Sequence, residues 1–244
     1  MAKRVRVPLS GLEAGERLLD EKSAHYLRDV LRLRAGETFI VFDPETKLEA
    51  DARLAESTDG VYCGIGALRA GTRGGDTGIV LIQALGKGDK TEQVVRSATA
   101  LGAAEVHLVE SARSVARVGD RGDSKHARLE AIALDASRQS GRVDVPKIVG
   151  PHALERELES WRDVPAIKLA LEPGAHQSLR ALTADWSLGS PIAVLIGPEG
   201  GLAPEELAAA HDAGFVSANF GELVLRTEIA GVAVLGALLL LGQA

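Results

Sequence analysis

An α/β domain preceded by a smaller, mostly β segment is the fold class that the sequence predicts, and three features predict it. Short apolar runs, unbroken or nearly so, recur after residue 78, as strands buried on both faces require. Segments with helical periodicity separate those runs. Before them lies Ala70–Gly78, with four glycines in nine residues and no large apolar side chain, a composition suited to a boundary. The division is placed there, giving residues 1–72 and 73–244.

In the first segment, Thr38–Phe42 and Val61–Leu68 read as strands, with the turn-forming Asp43-Pro44 between them. One helix is expected at Ser23–Leu33, capped by Ser23, with Tyr26, Val30 and Leu33 on one face. His25, Arg28 and Arg32 then share another stripe. In the second segment, strands are expected at Ile79–Leu85, Val106–Val109, Ile167–Leu171, Ile192–Ile196 and Phe215–Ala218. A helix over Lys90–Leu101 presents Val94, Ala98 and Leu101, and another over Lys125–Gln139 presents Leu129, Ile132 and Ala136. Pro204-Glu205-Glu206 opens a further helix. The run Ile229–Leu241 covers 13 residues, short of the roughly 20 that cross a bilayer, and reads as a buried C-terminal helix.

Composition excludes several classes. With 244 residues and 45% apolar content, the chain can bury a core without staples. Its single cysteine, Cys63, can form neither an internal disulfide nor a cysteine zinc site, which points to a reducing, cytoplasmic setting. Met1–Pro8 is basic and lacks the apolar stretch of a secretory signal. A net charge of −6 argues against general coating of nucleic acid. Met1–Ile40, however, carries eight Lys and Arg against six Asp and Glu, the reverse of the whole chain, and a local basic patch suffices for RNA contact.

Familiar catalytic motifs are missing. Lys87 in Gly86-Lys87-Gly88-Asp89-Lys90-Thr91 is followed by glycine, where a phosphate-loop lysine is followed by Ser or Thr. The sequence contains no G-x-G-x-x-G after a strand, no G-x-S-x-G and no H-E-x-x-H. Its six histidines are scattered, and no metal is expected.

Two glycine-bearing loops carry the functional signal. Gly197-Pro198-Glu199-Gly200-Gly201 follows an apolar strand and precedes a helix, where ligands of open α/β sheets bind and glycine lets the backbone approach them. A tight turn needing glycine for its own geometry accounts for that loop equally well. Phe220–Ala230 supplies a second loop and sets Arg226, Thr227 and Glu228 at a helix start. There, Thr227 could be a simple cap, with Glu228 favouring the helix dipole.

These pieces, in this order, resemble the RsmE family of SPOUT methyltransferases, which methylate N3 of a uridine in 16S ribosomal RNA. The likeness runs through His25–Gly36, Lys87–Lys90, Gln139–Arg142 before Val145-Pro146, Gly197–Gly201 and Leu225–Ala230. It implies a small PUA-like β-barrel RNA-binding domain, followed by an α/β domain whose C-terminal segment threads a trefoil knot, a topology that pattern rules would not propose. It further implies a homodimer that uses S-adenosylmethionine, with no membrane association. Carried onto matching positions, cofactor contacts fall to Leu171, Ile196, Gly197, Gly201, Leu223 and Leu225, largely through backbone groups. Arg226 is the candidate for stabilising a developing uracil anion, and Glu228 for orienting it or accepting the proton. Arg28, Arg32, Arg34 and Lys87 are candidates for RNA phosphate contacts. The chain departs from the family pattern at Arg138, Ser97 and Ala100, which leaves open a non-catalytic RNA-binding assembly factor or a methyltransferase with another RNA target.

Overall fold

The computed structural model describes residues 5–58, 60–114 and 122–242, with side chains at 122 and 123 left aside. The chain divides into two compact units: Met1–Arg73 with Ser137–Asp144, and Gly74–Ala136 with Val145–Ala244.

Strand alternation builds the first unit. In β4 (Leu48–Ser57), Ala50, Ala52 and Leu54 point inward while Asp51 and Arg53 point outward, the two-residue period of a half-buried strand. β5 (Gly60–Ile65) buries Val61, Cys63 and Ile65 in the same way. With β1 (Arg6–Pro8), β2 (Gly15–Leu18) and β3 (Thr38–Asp43), these strands form a sheet of order β1-β3-β4-β5-β2. Only the β1–β3 pairing is parallel, and β6 (Arg69–Ala70) pairs with β4. Leu27, Phe39, Val41 and Leu54 lead its core. Buried Asp43 accepts backbone N–H groups of Gly11 (2.9 Å), Leu12 (3.3 Å) and Glu45 (2.9 Å). Burial pushes its carboxyl up, but these donors outweigh burial and hold it below the ordinary value.

The helix expected at Ser23–Leu33 differs in three respects. It begins earlier, as α1 (Glu21–His25), and turns into a π-helical segment at Tyr26–Val30. Asp20, not Ser23, is the cap: its Oδ1 accepts the Ser23 N–H at 2.8 Å, while the Ser23 hydroxyl donates to Oδ2. The buried face is Ala24 and Leu27, and Val30 is exposed, because the wider π turn rotates the later residues off a 3.6-residue stripe.

The second unit is a six-stranded, all-parallel sheet. Its strands are β7 (Ile79–Ala84), β8 (Glu105–Glu110), β9 (Lys147–Ala153), β10 (Ile167–Leu171), β11 (Ile192–Ile196) and β12 (Val216–Ala218), in the order β12-β10-β11-β7-β8-β9. Alternate residues of β7 feed opposite faces. Ile79 and Leu81 join a core shared with α2 (Lys90–Ala100), α3 (Gly122–Ser140) and α7 (Thr227–Leu241). Ile82 and Ala84 join one shared with α4 (Leu154–Trp161) and α6 (Pro204–Asp212). A short α5 (Leu179–Leu182) completes the unit. β9, α4 and α5 were not expected from sequence: β9 contains Gly150 and Pro151, and α4 is rich in charge. Among the described residues, no helix is long and apolar enough to cross a membrane, and no group of three or more His, Cys, Asp or Glu side chains is arranged to hold a metal.

One polar cluster lies within this core. Glu157 on α4, 2% exposed at its side chain, accepts from the indole N–H of Trp161 (2.6 Å) and pairs with His107 of β8 (2.5 Å) and His152 of β9 (2.6 Å). His107 also meets Glu105 at 2.9 Å. Burial favours the neutral acid, but the His107, Trp161 and His152 contacts prevail and bring Glu157 down to about 2. Burial likewise opposes charge on His107, yet Glu157 and Glu105 raise its pKa above the ordinary histidine value.

Candidate functional site

Three adjacent parallel strands, β12, β10 and β11, end side by side, with Leu171 opposite both Ile196 and Ala218. The loops that follow them enclose a cavity of ≈ 350 Å³, within the range of small-molecule sites. All six positions assigned to cofactor contact, Leu171, Ile196, Gly197, Gly201, Leu223 and Leu225, line it, as does Arg226. Both glycine loops therefore face one pocket at the carboxyl ends of the strands, the usual ligand position in such sheets.

Glycine is required here for two different reasons. A Cβ on Gly197 would lie 3.0 Å from the Leu202 backbone nitrogen and 3.2 Å from Leu202 Cγ, so a side chain there has to push Leu202 aside by a few tenths of an ångström. Gly201 has φ +69° with open space around it; there the backbone conformation is the constraint.

A buried hydrogen-bond chain ties the two loops to the sheet. Gln83, the one polar residue of apolar β7, donates through Nε2 to the Thr227 hydroxyl at 2.9 Å. Thr227 in turn donates to the Gly197 carbonyl at 2.7 Å. Thr227 is thus not the helix cap considered from sequence; Arg226 occupies the N-cap position of α7 and makes no side-chain cap bond. On the far side of the loop, Arg113 donates to the carbonyls of Gly200 (2.9 Å) and Leu202 (3.3 Å). Glu206 accepts the backbone N–H groups of Ala112 (2.7 Å) and Ala203 (2.8 Å).

Charge concentrates at the rim. Lys90, at the start of α2, lies 2.8 Å from Glu199 and 3.2 Å from Glu228. Its hydrogen bond to Glu199 raises the Lys90 pKa and lowers that of Glu199. Glu228 is also held below the ordinary range, first by its own backbone N–H and then, against burial, by Lys90 and Arg226. All three groups are ionised at neutral pH, so Glu228 is a weak base in this arrangement. The loop also exposes apolar side chains, Leu223 at 81% and Val224 at 76%.

Of the RNA-contact candidates, Lys87 is exposed on the loop before α2. Arg28, Arg32 and Arg34 are exposed in the first unit, and Arg32 has φ 58°, unusual for a non-glycine residue. Sequence reasoning missed Gln83, Lys90, Arg113 and the linking role of Thr227. Gln83 left one signal, a lone amide in a strand otherwise wholly apolar.

Comparison with known proteins agrees with this geometry. The profile of the RNA methyltransferase domain family matches residues 75–239, and that of the RNA methyltransferase PUA domain matches residues 19–65. Ribosomal RNA small subunit methyltransferase E of Bacillus subtilis is 28% identical over 223 residues, 89% of this chain and 87% of the relative. The Mycobacterium bovis protein of that name is 34% identical over 164 residues, 65% of this chain and 62% of its own. Ribosomal RNA small subunit methyltransferase E from Neisseria gonorrhoeae, solved bound to S-adenosyl methionine, superposes with a TM-score of 0.83 at 26% identity, covering 98% of both chains.

Proposed function

Because the chain belongs to the RNA methyltransferase domain family, we propose that it transfers a methyl group from S-adenosylmethionine to N3 of a uridine in 16S ribosomal RNA. The observation that carries this reading is the convergence of both glycine loops on a single cavity. The cavity fits the cofactor in volume and in kind: Leu171, Ile196 and Leu225 offer apolar surface, and Gly197 and Gly201, having no side chains, let a ligand lie close to the backbone. When bound there, the cofactor supplies an electrophilic methyl on a positively charged sulfur.

The chain's own residues must position uridine N3 and stabilise the negative charge left when its proton departs. Holding two reactants in line can supply roughly 7–11 kcal/mol of a barrier, so rigid loops matter more than a strong base. Arg226, exposed at the pocket wall, is placed to stabilise the uracil anion. Glu228, ionised and shared with Lys90, orients that positive edge; its lowered pKa makes it a poor proton acceptor, and N3 then gives its proton to solvent. Arg28, Arg32, Arg34 and Lys87 supply phosphate contacts, and a looped target makes extrusion of the base less costly.

A homodimer belongs to the same reading, supported by the exposed apolar side chains Leu223, Val224, Ile229 and Leu240 of α7 and its leading loop, which a second copy would cover. So does the trefoil knot, supported by the path of the chain from edge strand β12 back to α7 packed on β7 and β11. A ribosomal substrate and a lone buried thiol fit the cytoplasm.

Mass spectrometry of 16S ribosomal RNA from a strain lacking the protein tests the proposal. The expected result is loss of one N3-methyluridine, restored by the wild-type chain and not by Arg226→Ala. Unchanged methylation would refute it, and calorimetry showing no cofactor binding would leave the RNA-binding adaptor as the better reading.

A further inference from the structure

Gly86-Lys87-Gly88-Asp89-Lys90 joins β7 to α2 and carries no phosphate-loop motif, yet its spacing delivers one cation, Lys90, to the wall of the cofactor cavity. Gly86 is buried, and a Cβ there would lie 2.9 Å from Lys90 Cβ and 3.4 Å from Lys90 Cδ. The aliphatic stem of Lys90 therefore lies along the Gly86 backbone, and any side chain at 86 would have to shift it. Gly88, with φ +70°, turns the chain back into the helix.

Lys90 is the first residue of α2. A cation at a helix N-terminus has the wrong sign for the helix dipole, so helical preference does not account for its place. Its partners do. Nζ lies 2.8 Å from Glu199 Oε1, in the first glycine loop, and 3.2 Å from Glu228 Oε2, in the first turn of α7. Among the described residues, neither carboxylate has another cation at ion-pair distance.

Two oxygens that meet one nitrogen at 2.8 and 3.2 Å stand no more than about 6 Å apart. Without Lys90, like charges would face each other across that gap. Glu228 Oε2, buried and with no hydrogen-bond partner among the described residues, would lose its cation as well. The other charged groups nearby do not take its place. Arg226 acts on Glu228 only through space, and Lys87 reaches Glu199 with its backbone N–H. Asp89 is bound to Gln93 at 2.8 Å, Glu92 is paired with Arg128 at 2.8 Å, and Arg113 is committed to the Gly200 and Leu202 carbonyls.

We propose that the Gly86–Lys90 turn seats Lys90 as an ionic staple between the two cofactor loops, which makes Lys90 a positioning residue for the cofactor. The inference rests on the cofactor reading above. At the rim, the staple runs in parallel with the buried bond from Thr227 to the Gly197 carbonyl, so the loops are joined at two levels. Walls tied in this way hold a bound methyl group in one place for its acceptor.

Calorimetry of S-adenosylmethionine and S-adenosylhomocysteine on the full-length chain, from about pH 5 to 8, tests the proposal. Near neutral pH, Lys90→Met is expected to weaken both ligands on the order of tenfold. Gly86→Ala should weaken them in the same direction, and Lys90→Arg should keep most of the affinity. The loss in Lys90→Met should shrink as pH falls: without the contact that lowers their pKa values, one of the two carboxylates takes up a proton and the repulsion ends. In a Glu199→Gln background Lys90→Met should cost little, a rescue that a merely structural part of Lys90 would not show. Unchanged affinity in Lys90→Met would overturn the staple, as would a loss equal at every pH and unrelieved by Glu199→Gln. So would a Lys90→Met variant that binds S-adenosylmethionine more tightly and S-adenosylhomocysteine as before, because Lys90 would then act directly on the positive charge of the cofactor. A wild-type chain that binds neither ligand would instead remove the cofactor reading, and the staple with it.

Discussion

Replacing Thr227 by valine keeps the shape of the side chain and deletes its hydroxyl, which makes it the most direct probe of how the two loops are held together. The hydroxyl accepts from Gln83 at 2.9 Å and donates to the Gly197 carbonyl at 2.7 Å. Gln83 is 2% exposed and Thr227 6% exposed, so water does not readily replace either bond. After substitution Gln83 Nε2 keeps only its 3.2 Å contact to the Ala84 carbonyl, and its Oε1 already meets no partner among the described residues. An unsatisfied buried group costs about 1–3 kcal/mol. The Gly197 carbonyl is only half-buried and lies at the low end, giving a total of about 2–3 kcal/mol. At roughly 2–4 °C per kcal/mol for a chain of this size, the melting temperature should fall by about 4–12 °C. Freed from Thr227, the Gly197 loop also loses its fixed distance to α7, and cofactor affinity should drop about tenfold for each 1.4 kcal/mol of lost preorganisation. Differential scanning fluorimetry and calorimetry read both effects, with Thr227→Ser, which retains the hydroxyl, as the control. A valine variant that melts within a degree of wild type and binds the cofactor equally well would refute the linking role.

Gly201→Ala should cost about 1–2 kcal/mol by forcing a side chain at φ +69° and weaken the cofactor without a clash, whereas Gly197→Ala should weaken it by displacing Leu202; a cofactor titration unchanged in both would dismiss the close-approach argument. The double variant Arg28→Glu with Arg32→Glu is expected to lower RNA affinity and salt slope while calorimetry shows normal cofactor binding, and equal RNA affinity would count against those contacts. The Glu157 cluster sets a pH window. The depressed Glu157 pKa gives stability that is present above its ordinary 4.5 and lost as pH falls toward about 2, while the raised His107 pKa gives stability present below its ordinary 6.5 and lost as pH rises through the higher folded value. Melting temperature should therefore peak between about pH 4.5 and 6.5 as far as this cluster is concerned, and Glu157→Gln should flatten the peak and cost about 3–5 kcal/mol as a broken buried pair; a melting curve equally pH-dependent in that variant would disprove it.

Within the sequence, β10 and β11 were legible to the residue, because β11 has five consecutive buried apolar side chains and β10 has four apolar ones interrupted only by Lys168, which leaves little freedom of assignment. The need for glycine in the first loop was legible for a related reason, since close packing at Gly197 and positive φ at Gly201 both select it. Local patterning could not show that the loops after β10, β11 and β12 share a cavity. That follows from strand order, which places β12 beside β10 and not beside β11, a pairing between residues far apart in sequence. The same holds for Lys90 bridging Glu199 and Glu228 and for Gln83 reaching Thr227. Each joins side chains separated by more than a hundred positions, and such partners are fixed only when the whole chain has packed. The α1 region marks the opposite limit: its composition supports a regular helix, yet packing Leu27 into the core selects a π turn that local propensity does not encode.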